Sequence, residues 1–145
     1  MGMVDISDKQ ITKRVAEAEG KIIFSPKAFK IFLKEGSPKG NILETSKIAG
    51  IMAAKNTPAL IPLCHPLSLE KISVEFEVLK LKNAIKVISQ VSCLGKTGVE
   101  MEALAAVSAA CLTIYDMMKY TGQQMTITDI QLTHKSGGKS GIYQR

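Results

Sequence analysis

The segment Gly95–Tyr120, GKTGVEMEALAAVSAACLTIYDMMKY, constrains the fold of this chain more than any other. Leu104, Val107, Cys111, Ile114 and Met118 recur at three- and four-residue steps, the period of a helix. Ala103, Ala106 and Ala110 add a strip of small side chains that allows another backbone to come close. A helix apolar on so many sides must be buried on several. Its ends are different: Glu100 and Glu102 open it, and Asp116 and Lys119 close it. Glu102 and Asp116 are fourteen residues apart, about 21 Å along a helix that rises about 1.5 Å per residue. One reacting atom cannot touch both carboxylates. If both serve chemistry, either the ligand is long or two subunits share a site.

At 145 residues the chain is expected to form one domain over residues 1–145, with a sizeable core. Hydrophobic residues make up 46% of it, spread so that no run approaches the ~20 apolar residues that cross a bilayer. No membrane partner is expected. The start, Met1 to Ile6, shows neither a basic-then-apolar signal peptide nor the hydroxyl residue of a myristoylation signal. The cytoplasm is therefore the expected location. Three cysteines without C-x-x-C spacing and two distant histidines, His65 and His134, indicate neither a disulfide framework nor a metal cage. The formal charge of +6 favours an anionic partner or substrate.

Alternation over Val15–Phe24 predicts a half-buried strand. Ser25-Pro26 then opens a helix that Gly36 and Ser37-Pro38 close. A second helix is expected after Asn41, with Glu44 as capping-box partner, running until Pro58 ends it. The prolines of Ile61-Pro62-Leu63-Cys64-His65-Pro66 make a stiff connector. Ile72–Val78 and Ile85–Cys93 alternate as a hairpin with one buried face. After the long helix, Met125 and Ile127, then Ile130 and Leu132, predict a last strand whose phase shift places a bulge near Thr128. The order strand, two helices, two strands, helix, strand predicts an α+β fold, a ferredoxin-like antiparallel sheet with helices packed on one face. Lys135–Gly141 is read as a flexible tail.

Two fragments imitate a phosphate-binding P-loop and both fail, because the first glycine is replaced by Gln90 in one and by Thr133 in the other. The tail still combines glycines with Lys135, Lys139 and Arg145, which suits a polyphosphate, against the plainer reading of a solvated terminus. Thr97-Gly98-Val99-Glu100 reads as a capping box, a structural use for Glu100. Glu102 lies about 200° away around the helix and is the stronger functional candidate. Asp116 and Lys119, three apart, form either an exposed ion pair or a proton-transfer pair. His65 is either a loop contact or a polar group aimed into a pocket. His134 reads as strand decoration, and Lys39, in a turn before a helix, as a solvated charge.

Met3–Ser7, Lys39-Gly40, Ile48–Ile51 with Ala53-Ala54-Lys55, Leu60–Leu67, the GKTGVEMEAL to IYDMMK helix and KSGGKSG follow one another in order over nearly the whole chain. Together they resemble the MoaC family of molybdenum cofactor biosynthesis. The resemblance implies a diphosphate-releasing lyase that converts a cyclised dihydro-GTP, 3',8-cyclo-7,8-dihydro-GTP, to cyclic pyranopterin monophosphate. It implies Asp116 as the family's catalytic acid, with Lys119 and Lys39 as essential lysines, which raises Lys39 above its reading as a solvated charge. Leu63, Cys64, His65, Met101 and Glu102 fall where the family binds substrate. Glu100, Arg14, Lys55, Lys135 and Lys139 match positions lining the pocket or its phosphate end. A homohexamer, a trimer of dimers with pockets between subunits, is also implied, in agreement with the 21 Å argument. Bacterial relatives usually carry a longer leader before the Met-Val-Asp segment, which leaves the leader's role in question here.

On this reading Asp116 and Lys119 act as acid and base, Lys39 assists from the other side, and His65 with Glu102 holds the base portion. Lys135, Lys139 and Arg14 hold the triphosphate. No cofactor is required, and magnesium is expected only as a companion of the phosphates. A basic nucleic-acid-binding module is the rival from another class. Aromatic residues are only 5% of the chain and no RNP-type stretch is present, so no nucleic-acid partner is expected.

Overall fold

A computed structural model describes all residues, Met1–Arg145. Five strands form one antiparallel sheet in the order β2-β3-β1-β4-β5: β1 Thr12–Ile23, β2 Lys71–Leu79, β3 Ala84–Gly95, β4 Thr126–Ser136 and β5 Tyr143–Gln144. Four helices accompany them: α1 Pro26–Lys34, α2 Ile42–Lys55, the single turn α3 Thr57–Leu60, and α4 Glu100–Met118. The first four strands and their crossovers give the ferredoxin-like split βαβ arrangement expected from the sequence.

Alternation decides which face is covered. Ala16, Ala18 and Ile22 of β1, Ile85, Val87, Val91 and Cys93 of β3, and Val74 of β2 join the core beneath the helices. Ser89 falls on that same face, and its hydroxyl avoids an unpaired burial by donating to the Ala103 carbonyl of α4 at 2.8 Å. The opposite face carries the polar half of the alternation. Gln90 donates to Glu17 at 2.6 Å there, and Gln131 to Glu19 at 2.9 Å.

The alanine strip of α4 does what its composition promises. Gly50 of α2 lies so close that a Cβ placed on it would stand 2.9 Å from the Ala106 carbonyl oxygen. Small residues on both helices allow this approach, which buries the middle of α4. By length and hydropathy alone the Glu100–Thr121 stretch matches a membrane-crossing helix, so the expectation that no segment is that apolar needs amending. Half of the stretch is buried inside the fold.

Caps follow the sequence in part. Ser25 accepts from Ala28 N–H, and Asn41 accepts from Glu44 N–H at 3.1 Å, one half of the expected capping box. Four expectations are corrected. Pro58 does not end α2; Asn56 caps it, and Pro58 fits the first turn of α3, where no N–H is needed. Thr97 makes no cap for α4, because Val99 is the N-cap residue and no side chain bonds there. The strand β1 begins at Thr12 rather than Val15. The tail is not free either: Lys135 and Ser136 belong to β4, and the chain turns back so that His134 pairs with Gln144 and Lys135 with Tyr143. The bulge near Thr128 is present, with Asp129 at φ 53 and a register shift opposite Glu19–Lys21; a second shift lies opposite Glu17 and Ala18.

Candidate functional site

Most of the sequence candidates gather at the two ends of α4. At its N-terminal end lies a cavity of about 330 Å³. The connector after α3 contributes Leu63, Cys64 and His65, and the first turn of α4 contributes Glu100, Met101 and Glu102. Leu63 and Met101 are partly exposed at the rim, at 51% and 38%. Glu102 is buried, with 3% of its surface exposed. Burial pushes its carboxyl pKa up, and the nearby Glu100 charge pushes the same way. Burial, and then the Glu102 charge, raises the Cys64 thiol, so Cys64 offers the cavity a neutral S–H.

Val4, Ile6 and Lys9 close one wall of this cavity. Periodicity gave no hint of that, since the first eleven residues form no helix or strand. The segment is held by Lys96, whose ammonium donates to the Ser7 carbonyl at 2.7 Å. The Asp5 carboxylate accepts from Ser7 N–H and Oγ–H at 2.8 and 2.6 Å, and these bonds lower its pKa.

Lys9 also lines a second cavity of about 630 Å³, which contains no apolar residue. Its other lining groups include Asp8, Thr12, Arg14 and Lys139. Thr12 Oγ1 is buried there without a hydrogen-bond partner. Lys135 lines neither cavity; its Nζ pairs with Glu100 Oε1, on the first turn of α4, at 2.9 Å. Glu100 therefore serves Lys135 rather than a capping box. Lys55, the last residue of α2, is exposed and lines neither cavity.

At the C-terminal end of α4, Asp116 sits between two lysines. Lys39 Nζ approaches Asp116 Oδ2 at 2.6 Å, and Lys119 Nζ approaches Oδ1 at 2.7 Å. The turn that carries Lys39 is fixed to the helix end: Ser37 Oγ–H donates to the Met117 carbonyl at 2.7 Å, and Tyr120 O–H to the Gly36 carbonyl at 2.7 Å. All three charged side chains remain about half exposed. The Lys119 and then the Lys39 hydrogen bond pull the Asp116 pKa down to about 2, and Asp116 in turn raises that of Lys119. Lys39 thus joins Asp116 within one chain. His65 and Glu102 lie at the far end of the helix, about 21 Å away by helical rise.

A family model described as the MoaC family matches residues 3–138. The chain is 51% identical over 142 residues to the cyclic pyranopterin monophosphate synthase of Parvibaculum lavamentivorans, covering 98% of this chain and 89% of that protein. It is 49% identical over 143 residues to the enzyme of that name from Streptomyces griseus, with 99% and 80% covered. For the Campylobacter jejuni enzyme of that name the identity is 50% over 143 residues, with 99% and 91% covered.

Proposed function

This chain belongs to the MoaC family, and from that premise we propose that the two ends of α4 are the two halves of its active site. The activity is that of a cyclic pyranopterin monophosphate synthase, a diphosphate-releasing lyase of molybdenum cofactor biosynthesis. The reaction opens the purine of a cyclised dihydro-GTP, rebuilds it as a pterin and closes a cyclic phosphate, and each step moves protons.

The single observation that carries the site reading is the Lys39–Asp116–Lys119 triad, with contacts of 2.6 and 2.7 Å. A carboxylate with a pKa of about 2 is a poor proton donor near neutrality. Its role here is to hold both ammonium groups in place, and the lysines donate protons to the substrate. The Glu102 cavity suits the opposite task. A buried carboxyl with a raised pKa, beside His65 and a neutral thiol, holds the hydrogen-bonding edge of a heterocycle. The polar cavity beside it, with Lys9, Arg14 and Lys139 on its walls, receives phosphate groups, while Lys135 holds Glu100 at the edge of the first. Magnesium would enter as a companion of the phosphates, with Asp8 the one carboxylate lining that cavity.

Because the helix holds the halves about 21 Å apart, the triad of one protomer works beside the Glu102 cavity of another. A homohexamer built as a trimer of dimers is the proposed assembly, and the cytoplasm the proposed location. Diphosphate release and pterin formation from the cyclised nucleotide test the reading in Asp116→Asn and Lys39→Ala. Retained turnover in both variants removes the triad from the mechanism, and nucleotide binding without turnover in the unaltered protein makes it a sensor instead.

A further inference from the structure

Arg14 is half-buried, and its guanidinium is spent on backbone rather than left free for a phosphate. Its Nε–H donates to the Gly95 carbonyl, one Nη1–H to the Gly137 carbonyl and one Nη2–H to the Lys96 carbonyl, each at 3.3 Å. These bonds are slightly longer than the usual range and individually weak, so their number and fixed directions matter more than the strength of any one. They join three pieces of backbone: β1, which carries Arg14; the end of β3 with the turn leading into α4; and the loop between β4 and β5.

The loop is shaped to receive the guanidinium. Gly138 has φ +76, and a Cβ built there would overlap Nη1 of Arg14 and lie 2.6 Å from its Cζ. Any other residue at position 138 would meet both the strained backbone and the guanidinium.

We propose that Arg14 is a positioning residue that locks the Lys139 loop to the β3–α4 turn, and that Gly138 is the seat that admits it. This rests on the reading of the polar cavity as a phosphate site. Lys135 lies two residues before Gly137 and Lys139 two after it, while Glu100, the partner of Lys135, follows Lys96 by four residues. One guanidinium therefore sets where the loop bearing Lys139, an amine on the wall of the polar cavity, sits relative to the turn before α4. A lysine cannot replace it, because an ammonium has no rigid fork with which to reach three carbonyls in fixed directions.

The test compares the full-length protein with Arg14→Lys, which keeps the charge, and Gly138→Ala, which keeps the arginine. In the ligand-free proteins, hydrogen exchange is followed at Gly141 and Arg145, whose amides bond the Gly138 and Thr133 carbonyls. Steady-state kinetics supply kcat and KM separately. Both variants are expected to exchange at least about tenfold faster in this segment, and to raise KM about tenfold with kcat within about threefold. A raised KM in Arg14→Lys with unchanged exchange would make Arg14 a direct ligand only and overturn the proposal. So would unaltered exchange and KM in Gly138→Ala. If one variant fails to fold, the other decides by the same two readouts. Absence of turnover in the unaltered protein would refute the functional reading but leave the exchange result standing.

Discussion

Lys39 Nζ lies 2.6 Å from Asp116 Oδ2 across 77 residues of sequence, and the contact is set by backbone docking rather than by charge alone. Ser37 supplies the docking: its hydroxyl donates to the Met117 carbonyl and accepts from Lys39 N–H. Because side chain and turn are fixed separately, the triad can be tested without dismantling the fold.

Asp116→Asn removes the negative charge but keeps the shape. Turnover is expected to fall by about 10²- to 10⁴-fold, the range of a general acid–base contribution, and Lys39→Ala by a comparable factor. Diphosphate release measured under saturating substrate checks this. Retention of the wild-type unfolding midpoint would assign the loss to chemistry, since an exposed ion pair contributes little to stability.

Asp116 and Glu102, at opposite ends of α4, should titrate in opposite directions. Asp116, held down to about 2 by Lys119 and Lys39, adds a stability contribution that is complete above its ordinary value of 3.8 and lost as the pH falls through about 2. Glu102 has its folded pKa raised above 4.5. Ionising it therefore destabilises the fold as the pH climbs through the raised value. Carboxyl carbon NMR of the two residues should show one midpoint below and one above the ordinary carboxylate range.

Glu102→Gln separates stability from function. The neutral amide avoids the cost of a buried charge, so the unfolding temperature at pH 7 should rise, and the difference from wild type should shrink below pH 4.5. Substrate affinity should weaken in the same protein if this carboxylate holds the base. Calorimetry at the two pH values, beside KM at pH 7, checks both signs.

Subunit mixing tests the shared site. Asp116→Asn chains keep a sound Glu102 cavity, and Glu102→Ala chains keep a sound triad. Random co-assembly in equal amounts should restore about a quarter of wild-type sites, because in the proposed assembly each site draws one half from each of two chains. A mixture no more active than its two components would place both halves in one protomer.

Packing gives the last prediction. Alanine in the middle of a helix normally gains about 1 kcal/mol over glycine. At Gly50 the added carbon would press to 2.9 Å from the Ala106 carbonyl, and overpacking of this kind costs about 1–3 kcal/mol. Gly50→Ala should therefore lose roughly 1 kcal/mol in urea unfolding. A stabilised variant would show that α2 can shift away from α4.

Most of this fold could be read from period. Alternation located β1 to β4, and the alanine strip of α4 announced the helix that packs on it. The parts that escaped carry little pattern. Tyr143 and Gln144 form β5 although both are exposed, so no burial signal marks them, and the glycines before them look like a frayed end. Val4 and Ile6 wall a cavity from a stretch without regular structure. In the candidate site the residues were identifiable, but not their grouping. Neither the docking of the Ser37 turn on Met117 nor the three carbonyls around Arg14 leaves a trace in local sequence, because each joins segments about eighty or more residues apart.

The length of α4 works as a gauge. Inserting or deleting one residue between Glu102 and Asp116 would swing everything beyond it by about 100°, turning Asp116 away from Lys39 while leaving the cavity at the other end untouched. Variation along this stretch is thereby confined to exchange of side chains, and its count of residues is as much a part of the catalyst as any carboxylate.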